Sequence, residues 1–208
     1  MAIASKSIWN VWAPIYNKIW GFQQFSLRPT RRFVHKYLQE IGLEPKSILD
    51  IGCGIGELSY ELAQHYPVCK ILAVDYSDGM IARARKDYSA PNIEYIHGSL
   101  EDIPAGRKFD LIVSTHSFPY FPYKLKAAQT MKGLLNQGGR ILIIQGNTNN
   151  WYDAAWLALV KLGVSKADFL AVAKVESIIR DAGFRIGTVR RVETKSFIPS
   201  IYMVEGIK

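Results

Sequence analysis

Between residues 49 and 58 the chain reads LDIGCGIGEL, which places Asp50, Gly52, Gly54 and Gly56 in a D-x-G-x-G-x-G spacing after an apolar run and before a helical pattern. Glycines let a backbone turn tightly and approach a ligand with no side chain between them. Such a turn exposes helix-terminus N–H groups against which a carboxylate can rest. Asp50, at the end of the apolar run, can attract a cationic amine. Together these suit an amino-acid moiety, which carries both charges. Cys53 reads as a small residue filling the turn, since no positioned base accompanies it. The dinucleotide fingerprint G-x-G-x-x-G differs: here the third glycine comes one residue early and Glu57 takes its place, which disfavours NAD.

Three further segments carry groups of the right type. Asp75 ends a second apolar run in AVDYSDGM (73–80), where an acid can accept hydrogen bonds from both ribose hydroxyls. Tyr76 beside it can lie against a purine. In HGSLEDIP (97–104) the backbone can bond an adenine edge and Leu100 can pack on the ring. Residues Ser114 to Ser117 follow a fourth apolar run, where an acceptor is expected, and Ser114 at the strand end is also a candidate cofactor-binding residue. His116 is the one group there that titrates near neutrality, so it is a candidate general base; a histidine packed under the loop is the alternative. The loop continues Phe118-Pro119-Tyr120-Phe121-Pro122-Tyr123, able to enclose an apolar or planar acceptor or simply to pack. His35, His65 and His97 lack metal-ligand spacing, and no metal site is expected.

These groups need a scaffold, and the pattern supplies one. Continuous apolar runs at Ile48–Ile51, Ile71–Val74, Ile93–Ile96, Leu111–Val113 and Ile141–Ile144 are those of strands buried on both faces of a parallel sheet. Helical patterns lie between them: one through Leu58, Leu62 and Tyr66, one over Gly79–Lys86 capped by Ser77 or Asp78, and one over Leu125–Leu135 stopped by Gly138 and Gly139. This alternation predicts a doubly wound α/β fold. Outside it, a helix is expected over Pro29–Ile41, helical structure from Tyr152, and a helix near Val175–Asp181. Phe184–Glu193 and Ser200–Glu205 are expected to pair as an antiparallel edge. All five tryptophans, at 9, 12, 20, 151 and 156, avoid the alternating region.

The 208 residues suit one domain, with a lid over 1–42, a core over 43–146, an acceptor-side insertion over 147–172 and a C-terminal helix and strand pair over 173–208. Two cysteines, Cys53 and Cys69, fit a reducing cytosol better than a secreted scaffold. No apolar run approaches a membrane span, and Asn10, Pro14 and Asn17 interrupt any leader-like stretch. The net charge of +8 is dispersed, with no run of five or six like charges, so solvated helix faces explain it as well as an anionic partner does.

The chain is similar to class I S-adenosylmethionine-dependent methyltransferases. LDIGCGIGEL, AVDYSDGM, HGSLEDIP, FDLIVSTHSFPYF (109–121) and LLNQGGRILII (134–144) look like that family's successive motifs, in its order and spacing, over roughly residues 44–145. The resemblance implies a seven-stranded Rossmann-like sheet with an antiparallel C-terminal hairpin and S-adenosylmethionine as cofactor. It implies that Gly52, Gly54 and Gly56 meet the methionine part, Asp75 the ribose, and Tyr76, Ser99 and Leu100 the adenine, with Ser99 standing where many relatives carry Asp. Within the family the chain looks most like the group of quinone C-methyltransferases and phospholipid N-methyltransferases. WAPIYN (12–17) is similar to their A-P-x-Y-D segment, which makes Tyr16 a candidate lid residue.

The expected function is methyl transfer to a small, largely apolar or aromatic acceptor. The alternatives are a lipid-headgroup methyltransferase anchored through Trp9, Trp12 and Trp20 beside Lys6, Lys18 and Arg28, and a cofactor-binding protein without catalysis. RNA is disfavoured, because S-T-H-S stands where an N-P-P-Y-type motif would.

Overall fold

A computed structural model describes residues 3–18, 21, 23–164, 167–195 and 197–208, with the side chains of 3–7, 17, 163 and 164 outside the description. The strands are β1 (Ser47–Ile51), β2 (Lys70–Asp75), β3 (Ile93–His97), β4 (Phe109–Thr115), β5 (Leu135–Gly146), β6 (Arg185–Arg191) and β7 (Ile201–Ile207). The helices are α1 (Ile3–Trp12), α2 (Arg28–Glu40), α3 (Glu57–His65), α4 (Asp78–Asp87), α5 (Lys124–Leu134), α6 (Trp151–Val164) and α7 (Val172–Asp181). The sheet runs β3-β2-β1-β4-β5-β7-β6. β3, β2, β1, β4 and β5 are parallel, and β7 is antiparallel to both its neighbours. Chain direction across the sheet reverses between β1 and β4, so their carboxyl ends flank the crevice where such folds bind ligands.

The continuous apolar runs are continuous because the sheet is covered twice. Leu49, Ile51, Leu72, Val74, Ile141 and Ile143 face a layer containing Met131 of α5 and Val175 and Ile179 of α7. Their strand neighbours Ile48, Ile71, Leu142 and Ile144 face Val34 and Leu38 of α2 and Leu58 and Leu62 of α3. Truncating any of these buried chains to Ala costs about 2–5 kcal/mol.

Several elements depart from the sequence reading. α5 ends at Leu134, before Gly138 and Gly139, because Leu135 already pairs with Phe109 at the start of β5. Gly138 takes φ +74° inside that strand, and a side chain on Gly139 would meet the Asn136 carbonyl at 2.9 Å. The glycine pair is thus a bend in a strand rather than a helix stop. The two C-terminal strands do pair, but β7 is interior and only β6 is the edge. A π-helical turn, Gln23–Leu27, leads directly into α2. Ser77, rather than Asp78, caps α4, its hydroxyl accepting from the Met80 N–H at 3.1 Å.

Candidate active site

The turn after β1 is held under the end of β2. The Gly52 and Cys53 N–H groups both donate to the Val74 carbonyl, at 2.7 and 3.1 Å. Gly52, Gly54 and Gly56 all have positive φ, at +77°, +58° and +85°, a region costly for other residues. Their surroundings separate their roles. A Cβ on Gly52 would fall 2.2 Å from the Ser117 Cβ, and one on Gly56 would fall 2.6 Å from the Tyr95 hydroxyl. These two glycines permit close packing. A Cβ on Gly54 would meet only the Tyr16 ring, at 4.0 Å. Gly54 therefore leaves open a space that a side chain would fill.

That space belongs to a cavity of about 600 Å³ at the carboxyl ends of β1, β2 and β4. Gly52, Gly54, Asp75, Tyr76, Ser99, His116 and Tyr16 line it. Gly56, Asp50, Cys53, Leu100 and Ser114 are not among its lining residues. Asp50 is fully buried beneath the turn and accepts from the Ser59 hydroxyl at 2.7 Å. Burial pushes its carboxyl up to about 7. Asp50 thus sits beneath the turn, with its Oδ1 buried and without a hydrogen-bond partner among the described residues. Cys53 packs beside Ala73, Ile81 and Tyr95, and burial pushes its thiol well above the ordinary range. Leu100 is buried in the interior with Val74 and Ile103.

Asp75 is the charged group of the described wall. Its Oδ2 accepts from the Gly54 N–H at 2.9 Å and its Oδ1 from the Ser77 N–H at 2.8 Å. Burial raises its pKa while these two bonds oppose the shift. Each oxygen retains a lone pair, enough to accept from a diol. Ser99 reaches the cavity rim, but its hydroxyl donates toward Glu101 and Asp102 at 2.7 and 2.9 Å. It closes a capping box on the turn Leu100–Asp102 and can offer an adenine amine only an acceptor lone pair.

At the end of β4, Ser114 is buried and shares a 2.7 Å hydrogen bond with Ser117, whose hydroxyl donates to the Ile51 carbonyl at 2.7 Å. This ties β4 to β1 behind the cavity. His116 has φ +58°, a non-glycine residue in the left-handed region. Its N–H donates to the Ile144 carbonyl at 2.7 Å. Its Nε2 lies 3.0 Å from the Thr30 hydroxyl of α2. Burial lowers its pKa to about 4, so the ring is neutral at pH 7. Thr30 did not stand out in the sequence. Thr30 is 86 residues from its partner, and no local spacing marks such a contact.

The N-terminal segment forms the remaining wall. Asn10 accepts from the Ser77 hydroxyl and the Gly79 N–H, and its amide donates to Asp78 at 2.6 Å. Arg83 of α4 donates to the Ala13 and Pro14 carbonyls at 2.8 and 3.2 Å. So pinned, Trp9 and Trp12 join Tyr16 in the wall, with Trp9 edge-on to Tyr120 at 5.4 Å. Burial raises the Tyr16 phenol. From the opposite side α6 contributes Trp156, Leu157, Leu159 and Val160. Trp151 is 81% exposed and takes no part in the wall. Trp20 lies outside the described residues.

Open backbone at Gly54, a two-oxygen acceptor at Asp75 and a cavity of this size fit S-adenosylmethionine with room for an acceptor. Comparison with known proteins agrees. Residues 48–139 match the family model described as a methyltransferase domain. Over 129 residues the chain is 32% identical to a malonyl-[acyl-carrier protein] O-methyltransferase of Halalkalibacterium halodurans, covering 58% of this chain and 48% of that protein. It is 29% identical over 103 residues to a trans-aconitate 2-methyltransferase of Deinococcus radiodurans, covering 50% of this chain and 38% of that protein. The chain thus spans about half the length, or less, of these relatives. Among solved structures, magnesium protoporphyrin IX methyltransferase from Synechocystis PCC 6803 with bound S-adenosylhomocysteine superposes with a TM-score of 0.74 at 18% identity, over 98% of this chain and 99% of that one. The cyclopropane synthase MmaA2 of Mycobacterium tuberculosis superposes with a TM-score of 0.68 at 14% identity, over 84% of each chain. Motif order, domain match and fold coincide: residues 48–139 are a methyltransferase domain, set in a chain that has the fold of these methyltransferases.

Proposed function

We infer that the protein methylates a small, uncharged, largely apolar or aromatic acceptor. One observation carries this reading: a single cavity is lined both by Gly54, Asp75 and Ser99 and by the aromatic side chains of Trp9, Trp12, Phe25, Trp156, Phe169 and Phe197. The Gly52–Gly54 backbone, Asp75 and Tyr76 would hold the cofactor, which supplies an electrophilic methyl group when bound. The protein's task is then to align an acceptor and keep water out.

His116 lines the same cavity. A neutral ring with a pKa near 4 is a weak base, so its fitted role is to orient an acceptor by hydrogen bonding. Thr30 engages Nε2 and leaves Nδ1 for that purpose. The two curated relatives are named for malonyl-[acyl-carrier protein] and trans-aconitate, both of which bear carboxylates. In this chain a carboxylate in the cavity would lose hydration in a space that also holds Asp75, with no cationic side chain among the described lining residues to offset the cost. This favours an uncharged acceptor, and the same argument disfavours a phosphate-bearing headgroup.

The test pairs calorimetry with S-adenosylmethionine and S-adenosylhomocysteine against turnover on an acceptor panel. Neutral phenols and quinols should be methylated faster than dicarboxylic or tricarboxylic acids. Preferred turnover of the acids would overturn the acceptor class, and NADH binding with no response to either sulfur compound would overturn the cofactor assignment.

A further inference from the structure

Helix α6 does not look like a helix whose outer face meets only water. Its sequence, WYDAAWLALVKLGV, holds two charged residues, Asp153 and Lys161. Asp153 is buried and accepts from the Ser200 N–H at 2.8 Å, which fixes the inner face. At 3.6 residues per turn, Trp151, Ala155, Ala158 and Leu162 share the opposite face, with Leu159 at its margin. All five are exposed, Trp151 by 81% and Leu162 by 83%. Across the cavity mouth the N-terminal segment also exposes apolar groups, Val11 by 73% and Ile15 by 47%. An exposed apolar surface of this kind marks an interaction site.

The charge around this surface says what kind. Residues 1–39 contain six Lys or Arg and no Asp or Glu, the first acid being Glu40. Residues 154–167, which include most of α6, contain Lys161 and Lys166 and again no acid. Among the described side chains of these stretches the exposed cations are Lys18, Arg28, Arg32, Lys36 and Lys161; Arg31 is taken up by Glu57 and Glu61, Lys36 pairs with Glu40, and Asp153 and Asp168 flank the second stretch. Leu159 belongs to the exposed margin and to the cavity wall at once, so surface and cavity are continuous. No described helix is long and apolar enough to cross a bilayer. We propose that the outer face of α6 and the N-terminal segment dock on an anionic lipid surface, with the cavity mouth turned toward it so that an apolar acceptor enters from the lipid phase. The contact combines shallow insertion of Trp151 and Leu162 with attraction of lysines to anionic headgroups. The entry route rests on the proposed acceptor class; the docking does not.

The experiment is co-sedimentation of the full chain with phosphatidylcholine vesicles, with and without phosphatidylglycerol. Binding to the anionic vesicles should exceed binding to the neutral ones by on the order of tenfold at low salt and fall in roughly 1 M salt. Trp151→Glu with Leu162→Glu should lower it by on the order of tenfold, with S-adenosylhomocysteine affinity by calorimetry retained as proof of folding. Equal or no binding to the two vesicle types overturns the proposal, as does a folded double variant that binds like the parent. Two other results overturn it by naming a different occupant. One is a dimer in light scattering that the double variant dissociates. The other is saturable binding to a purified acyl carrier protein that the double variant abolishes, without vesicle binding. Vesicle docking without methylation of any neutral acceptor would refute the acceptor class and leave the docking standing.

Discussion

Gly52 and Gly54 are two residues apart and should fail differently when substituted. Gly54→Ala places a methyl group in the cavity and costs about 1–2 kcal/mol for its left-handed backbone. It should weaken S-adenosylhomocysteine binding by calorimetry while the chain still melts cooperatively. Gly52→Ala collides with Ser117, whose hydroxyl also holds Ile51, so thermal melting should reveal a larger loss of stability. At Asp75, substitution by Ala removes charge-assisted bonds worth on the order of 2–4 kcal/mol, and calorimetry should show cofactor affinity falling with little change in acceptor KM. His116 gives a pH test. Its folded pKa, about 4, lies below its unfolded value near 6.5. Between those values the unfolded chain binds more protons, so this residue's contribution is present above pH 6.5 and is lost as pH falls toward 4. Denaturation of His116→Gln should show a shallower loss over that window, and the kcat of the parent should stay flat above pH 6, because a ring with a pKa near 4 is neutral throughout that range.

At the scale of elements, the N-terminal segment is a wall fastened at a few points. Asn10 alone makes three contacts at the start of α4, two to four residues beyond Asp75. Each net hydrogen bond is worth about 0.5–1.5 kcal/mol. Asn10→Ala should therefore loosen α1 without unfolding the sheet. Hydrogen exchange in residues 8–18 should quicken, and kcat should fall more than cofactor affinity does. In the parent, exchange in 8–18 and 151–160 should slow when cofactor product and an acceptor analogue bind together. Unchanged exchange on binding would reduce these segments to packing elements. The lid over 1–42 and the insertion over 147–172 are proposals that stand on this test.

For the molecule as a whole, cofactor binding and folding are linked. The cavity floor is the ends of β1, β2 and β4, and a ligand that binds only the folded chain stabilises all of it. S-adenosylhomocysteine at a hundred times its Kd should add about 2.7 kcal/mol. At about 2–4 °C per kcal/mol for a domain of this size, the rise in Tm is easily measured. Asp75→Ala should remove most of that rise at equal ligand concentration.

The sheet core was legible in the sequence because burial on two faces demands uninterrupted apolar runs, and Ile48–Ile51, Ile71–Val74 and Ile141–Ile144 answer to it. The glycine turn and Asp75 were legible for a local reason: each sits directly at a strand end, so spacing along the chain is spacing in space. Leu100 and Asp50 show where that logic stops. Both are in the right segment, yet Leu100 turns inward to fill the core and Asp50 lies beneath the turn it belongs to. The ends of β5 were misread because Gly138 and Gly139 suit a helix stop or a strand bend equally, and only pairing of Leu135 with Phe109 decides. Thr30 beside His116, and Asn10 on Ser77, were beyond reach of any motif. What joins them is the packing of helices from distant parts of the chain, and a side chain's partner across such an interface is chosen by geometry that no local pattern encodes.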